Sequence, residues 1–573
     1  MKHKPVVAGM AVCQLMLSAQ LIGVSPAHAD QTVGQRIEKP LGEAGPGVVK
    51  SWVQVHSPLP AAAGPHPPGC DYVDYLRYRL ADGPQQSGDA DAVVTAMPGM
   101  FSGPEQFDSL APEALRRGHD RGRAVEFWGM QRRSPCYYDR TGLDAAIAAK
   151  DYRVAVDYYF NHKAVDGRTF PGWPSSDDTE ALKSDDLDQQ NRDWYTAIAE
   201  AIPDPQQRAK KVYCAGHSQG GENLSYFAAT EFGNADHPAP GYAQCAGFVV
   251  LDTALTIDQA DSKQSRPQDN PGTPPATAGR SFFQGILPES VVPDAMTLFS
   301  IAAIAAYFEP DEESQLLRML PHSPNMELIL RGLLAADHLQ LITNDPDVRS
   351  FRYTNTAMLG ALLDNNSMPL TAADISFGSF GGGPVREKYL WLPEELADIP
   401  GTDITLPLIG WPLKKSLLGF DKVAPADPKA LYTWNNYDQP AAPDNTGRVY
   451  STPQTEHTDI HSLARQLFEG PTVFFDAFFP GTPRKDTTPV PYPNGPFEKR
   501  AVYIYGTNGT VNDTLQLLTP IVQLLNPGSH PLRPPDAATG IGYTHLDVLT
   551  AAPRQNDGNP SATTIAITDF ITR

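Results

Sequence analysis

The sequence predicts an α/β protein with a mainly parallel central sheet, helices on both faces and a large, mostly helical insertion. Three observations carry that expectation. Short apolar runs such as Ala92-Val93-Val94-Thr95-Ala96-Met97 and Gly247-Phe248-Val249-Val250-Leu251 read as buried strands, and they alternate with stretches of helical periodicity. That alternation stops near residue 256 and resumes only near residue 496. Within the first block, one strand runs through a glycine-rich turn straight into a helix.

The bulk numbers bound the answer. At 573 residues, with 41% hydrophobic and 19% charged residues, the chain is an ordinary globular protein rather than a disordered one. Its 55 prolines predict many loops and short elements. A formal net charge of −21 argues against nucleic acid or an anionic membrane as partner and fits a protein that stays dispersed.

Residues 1–29 read as a signal peptide. Lys2 and Lys4 form a basic start, an apolar stretch follows to about Val24, and Ala27-His28-Ala29 offers a cleavage site after Ala29. Cys13 lacks the small residues that a lipoprotein signal places before its cysteine. The expected location is therefore secreted or periplasmic. In such a compartment Cys70, Cys136, Cys214 and Cys245 allow two disulfides in three pairings, with free buried thiols as the alternative. Cys214 and Cys245 fall on or beside strands expected to be neighbours, and Cys70 and Cys136 flank the first half of the sheet.

In order, residues 30–256 form the first part of the core. The start to about Gly47 looks loosely structured; 48–56 and 70–79 alternate like half-buried strands, followed by strands at 92–97 and 124–130. Helical patterns cover 141–160 and 188–202. Residues 257–495 form an inserted cap, with helical segments at 295–308, 324–343 and 353–364. The most apolar piece, 295–308, is shorter than the roughly 20 residues needed to span a bilayer, so no integral membrane segment is expected in the mature chain. Residues 496–573 complete the core with a strand at 500–506 and a last helix near 561–572.

The chemistry centres on Gly216-His217-Ser218-Gln219-Gly220, which follows the apolar run at 212–215 and precedes a helical run from Glu222. A bare G-x-S-x-G arises by chance as a surface turn. Between a strand and a helix it lifts a serine hydroxyl out of the sheet, because only small residues two positions either side allow so sharp a turn. An alcohol needs a base near neutrality, and histidine fits. Of 14 histidines, only His530 and His545 follow the strand at 500–506, and His530 lies in a proline-rich loop. His457 and His461 are four apart but lack the H-E-x-x-H arrangement, so no metal is expected there.

The strand order, the 216–220 turn, the Pro98-Gly99 turn and the late Tyr543-Thr544-His545-Leu546-Asp547 together resemble the α/β-hydrolase superfamily. The resemblance covers roughly residues 48–256 and 498–573. It implies a triad in the chain order serine, acid, histidine, with His545 on the last loop as base to Ser218. The acid usually follows the family's seventh strand, about three residues after a glycine, but that place here holds Gly509. Some lipase-like members carry the acid directly after the sixth strand, where this chain has Asp252; Asp513 is the alternative. The backbone amides of Met100 and Gln219 are the expected oxyanion hole.

The resulting expectation is an exported serine hydrolase that cleaves a small-molecule or lipid-like carboxylic ester through an acyl-enzyme, without a cofactor. The alternatives are an aminopeptidase-like serine peptidase on the same fold, or an inactive binding protein.

Overall fold

The computed structural model describes residues 35–257, 289–370, 372–388, 422–444, 446–481, 490–509 and 537–573. The expected signal peptide, Asp513 and His530 lie outside the described residues.

Nine strands form one sheet: β1 (Arg36–Glu43), β2 (Val48–His56), β3 (Tyr72–Leu80), β4 (Ala92–Met97), β5 (Val125–Gln131), β6 (Val212–His217), β7 (Gly247–Leu251), β8 (Ala501–Asn508) and β9 (Ala538–Thr544). Their spatial order is β1-β2-β3-β5-β4-β6-β7-β8-β9. The first four in that order pair antiparallel. All pairings from β5 to β9 are parallel. Every residue of β4, β6 and β7 is buried, which is why these strands read as unbroken apolar runs rather than alternating ones.

The loosely structured start expected before Gly47 is instead strand β1. It carries Arg36, Glu38, Lys39 and Glu43 with Pro40 beside a register shift, and most of its residues are exposed or half-buried. An edge strand tolerates proline and charge because one of its sides bonds to nothing, so no alternation marks it in sequence.

Helices cover both faces. On one side α1 (Leu110–His119) and α11 (Ala562–Ile571) bury Leu110, Leu115, Ile567 and Phe570 against Val94, Ala215 and Val249. On the other, α4 (Leu187–Ala201) and α6 (Gln219–Ala229) bury Trp194, Ile198, Leu224 and Phe227 against Val93, Cys214 and Val250. Between α4 and β6 the chain makes the short α5 (Pro205–Lys211), capped by Asp204. Disulfides join Cys214 to Cys245 and Cys70 to Cys136, with Cα atoms 5.9 and 5.2 Å apart.

Among the described residues, the chain between β7 and β8 contributes no strand to this sheet. Its core is built from α7 (Val291–Phe308), α8 (Pro324–Leu334), α9 (Asn355–Leu363) and α10 (Ile460–Phe468). Two small sheets accompany them: Arg352–Tyr353, Leu431–Asn436 and Gly378–Gly381 in one, Val385–Lys388 and Lys422–Pro425 in the other. Helices α2 (Thr141–Ala149) and α3 (Arg153–Asn161) bury Leu143, Val156 and Tyr159 in this same core. The apolar segment expected at 295–308 begins four residues earlier, because Pro293 and Asp294 fall in the first turn, where a missing N–H and a negative charge are tolerated. Among the described residues this 18-residue helix alone is long and apolar enough to cross a membrane, and 61% of it is buried inside the protein.

Candidate active site

Register brings the predicted residues to one edge of the sheet. His217 on β6 pairs with Leu251 on β7, so Ser218 and Asp252, each one residue further on, leave neighbouring strands side by side. Met97 on β4 pairs with Gly216, which sets the Pro98-Gly99 turn next to them. Leu251 pairs with Ile504 on β8, and Thr544 ends β9, so His545 enters at the same edge.

Ser218 adopts φ 53°, ψ −120° between β6 and α6. A non-glycine residue there stores about 1–3 kcal/mol of strain, which persists only where the surroundings over-determine it. They do here. Its N–H donates to Leu251 O (3.1 Å), and its carbonyl accepts from Gly221 N and from Thr253 Oγ1 (2.8 Å each). The flanking glycines are required by approach: a Cβ on Gly216 would sit 2.2 Å from Gly220 O, and one on Gly220 2.1 Å from Met97 O.

Asp252, fully buried, also has positive φ (45°). Its Oδ2 lies 2.5 Å from His545 Nδ1, and its Oδ1 accepts from Gly506 N at 3.2 Å. A carboxylate only accepts, so Nδ1 carries the proton and Nε2 is left as the basic nitrogen. Ser218, His545 and Asp252 are thus brought together at one edge, with His545 bonded to Asp252.

His217 occupies a variable position of the motif, and nothing in the sequence marks it. It is buried against His545, ring centroids 4.5 Å apart, and its Nε2 donates to His545 O at 3.0 Å. Burial pushes its pKa well below the usual imidazole value, with the adjacent His545 adding to the effect. It is a neutral donor that fixes the backbone of His545.

Met100 is 40% exposed on a turn held from several sides. Arg132 donates to the carbonyls of Pro98 and Gly99, Asp476 N donates to Phe101 O, and Gly103 N to Phe474 O. A Cβ on Gly99 would lie 3.0 Å from Ser218 Cβ, so the turn rests against the serine. Gln219 opens α6, and its amide belongs to the positive end of that helix.

The inserted chain reaches the loop of His545. Asp547, fully buried, accepts from Thr544 N (2.8 Å), Ser376 N (3.1 Å), Ser376 Oγ (2.6 Å) and Thr458 Oγ1 (2.9 Å). Thr544 Oγ1 donates to Asp374 O at 3.0 Å. Nothing local in sequence marks these contacts, which join positions about 90 and 170 residues apart.

Helix α10 begins at Ile460, so His457 precedes the helix that carries His461. Its Nδ1 bonds to Gln555 and its carbonyl accepts from Ala552 N. Among the described residues no group of three or more His, Cys, Asp or Glu is placed to hold a metal ion.

No family model and no curated protein matches this chain. Ten solved chains match it. One, described as a lipase in its open form, is 12% identical, with a TM-score of 0.26, over 93% of this chain and 98% of its own. Another, described as an acetyl xylan esterase from Bacteroides fragilis, is 11% identical, with a TM-score of 0.19, over 42% of this chain and 56% of its own.

Proposed function

We propose that this protein is an exported serine hydrolase of the α/β-hydrolase type that cleaves carboxylic esters through an acyl-enzyme. The observation that carries the reading is the bond from His545 Nδ1 to buried Asp252, at the sheet edge where Ser218 is held at positive φ.

In this reading His545 Nε2 takes the proton as Ser218 Oγ attacks the ester carbonyl, then returns it to the leaving alkoxide. Water repeats the sequence on the acyl-enzyme. Asp252 holds the tautomer and stabilises the imidazolium that forms in each step. The Met100 and Gln219 amides receive the developing oxyanion; each such donor is worth about 2.7–4 kcal/mol in the barrier. No step calls for a cofactor.

The chain between β7 and β8 is read as a cap over the site. Phe101 and Phe479 pack edge-to-face at 5.4 Å beside Met100, which favours an apolar group on the substrate. Export is supported by the two disulfides, which persist in oxidising compartments.

The test is labelling with a fluorophosphonate probe, together with turnover of p-nitrophenyl esters and aminoacyl p-nitroanilides. The expected result is stoichiometric labelling abolished by Ser218→Ala, with ester turnover. Labelling that survives Ser218→Ala removes the serine from the mechanism, and turnover of the anilides alone makes the protein a peptidase.

A further inference from the structure

Two consecutive arginines follow β5 and look alike in sequence, but they do different work. Arg133 makes a two-pronged ion pair with Asp193 (2.6 and 2.7 Å). Arg132 has no carboxylate within ion-pair distance among the described residues, although it is only 4% exposed. Its hydrogen bonds go instead to neutral acceptors: Nη1 donates to Gly99 O (2.9 Å), Nη2 to Pro98 O (2.8 Å) and Asn223 Oδ1 (3.4 Å), and Nε to Gln190 Oε1 (3.2 Å), while Asp476, Asp185 and Glu222 act on its charge without a direct ion pair. The guanidinium stacks over Phe479 at 4.8 Å. Burial lowers its pKa to about 10, so it remains charged at neutral pH.

A buried cation without a direct counter-ion is costly, and a fold keeps one where its hydrogen bonds have a task. Strand register shows the task. Ala96 on β4 pairs with Gly129 on β5, so three residues further along each strand Arg132 stands level with Gly99. The Gly99–Met100 peptide is trans. The carbonyl of Gly99 and the N–H of Met100 therefore belong to one rigid plane and point in opposite directions. Because the carbonyl is turned to Arg132, the Met100 N–H is turned away from it. A cation on the carbonyl also polarises the peptide and strengthens its N–H as a donor.

We propose that Arg132 is the positioning residue of the oxyanion hole: by holding the Pro98 and Gly99 carbonyls it aims the Met100 amide at the oxygen that becomes negative during attack by Ser218. The inference rests on the serine-hydrolase reading. Gln190 and Asn223 complete the fork, since Asn223 Nδ2 also donates to Gln190 Oε1 at 3.0 Å.

The test compares wild type with Arg132→Lys and Arg132→Gln, using kcat and KM for a p-nitrophenyl ester and inhibition by an alkylboronic acid, whose tetrahedral adduct fills the hole. The expected result is a fall in kcat of about 30- to 100-fold, as for loss of most of one oxyanion donor. KM should stay within about threefold, boronate affinity should fall in proportion to kcat, and lysine should recover part of what glutamine loses. Unchanged kcat, or a fall in kcat with undiminished boronate affinity, overturns the proposal. Should both variants fail to fold, a crystal structure of the wild type phosphonylated on Ser218 decides. The phosphoryl oxygen is expected within hydrogen-bond distance of Met100 N while Gly99 O stays on Arg132, and a phosphoryl oxygen away from Met100 N overturns the inference. A wild type that neither labels nor turns over esters defeats the hydrolase reading itself; a fully active wild type with equally active variants defeats only the role of Arg132.

Discussion

Gly509 and Asp252 are fitted to each other: a Cβ built on Gly509 would fall 2.5 Å from Asp252 Oδ2 and 2.7 Å from Oδ1. Gly509 holds no side chain, and the carboxylate of Asp252 from the neighbouring strand fills the room. Gly506 N, on the same strand end as Gly509, donates to that carboxylate.

Gly509→Ala should therefore act on catalysis without touching any reacting group. The methyl group must push Asp252 from His545, and overpacking of this kind costs about 1–3 kcal/mol. We expect kcat for a p-nitrophenyl ester to fall by about tenfold or more, with fluorophosphonate labelling slowed in parallel.

Asp252→Asn leaves the shape of the site but offers His545 an amide. An amide N–H facing Nδ1 inverts the tautomer, and kcat should fall by about 10³- to 10⁴-fold, while Asp513→Asn stays near wild type. Steady-state kinetics of both variants check this, and the reverse outcome would assign the acid to Asp513.

Asp547 touches none of the reacting groups, yet it ties Thr544, beside the base, to Ser376 and Thr458. Asp547→Ala leaves buried donors unsatisfied, at about 1–3 kcal/mol each. The expected result is a lower Tm and a kcat reduced more than KM is raised, measured by thermal melting and steady-state kinetics.

A buried acid pair in the inserted chain makes stability depend on pH. Asn366 Nδ2 bridges Asp364 Oδ1 and Glu456 Oε1, Phe377 N donates to Asp364, and Gly378 N donates to Glu456. Burial pushes the Asp364 carboxyl up to about 8 and Glu456 well above its usual range; the nearby Asp364 raises Glu456 further, and Lys422 partly opposes the shift of Asp364. Unfolded carboxyls release their protons near pH 4, so between about pH 4 and 8 the folded state holds more protons. Stability supplied by the protonated pair is thus complete below about pH 4 and is lost as pH rises toward 8. Melting at pH 5 and pH 8 should show a fall in Tm for this contribution, and Glu456→Gln should flatten it.

The parts of this site that a local pattern could announce were legible in the sequence. Ser218 sits between an all-buried, mainly apolar strand and a helix, and Asp252 follows the next apolar strand; both signals come from strands buried on two faces. The same two strands put Cys214 and Cys245 near one another, but three pairings and free thiols stayed open in sequence, and the structure joins the two. Arg132 and Asp547 carry no such mark, since each works through contacts made by distant chain. Arg132 is separated in role from Arg133 only by what each guanidinium meets. Strand β1 escaped because an edge strand needs no apolar face. The small sheets of the inserted chain escaped because two- to six-residue strands are too short to establish a period.

The Asp547 contacts bear on how this chain can change over generations. Ser218 and Asp252 follow directly on strands of the nine-stranded sheet, but the loop of His545 is also tied to residues near 374–376 and 458 in the inserted chain. A recombination event that replaced the insertion with an unrelated one would leave Ser218 and Asp252 in register and remove the partners of Asp547, leaving His545, among the described residues, held by Asp252 and His217 alone. Exchange of this segment should therefore keep the loop of His545 best in place where the incoming sequence also supplies a hydroxyl pair for Asp547.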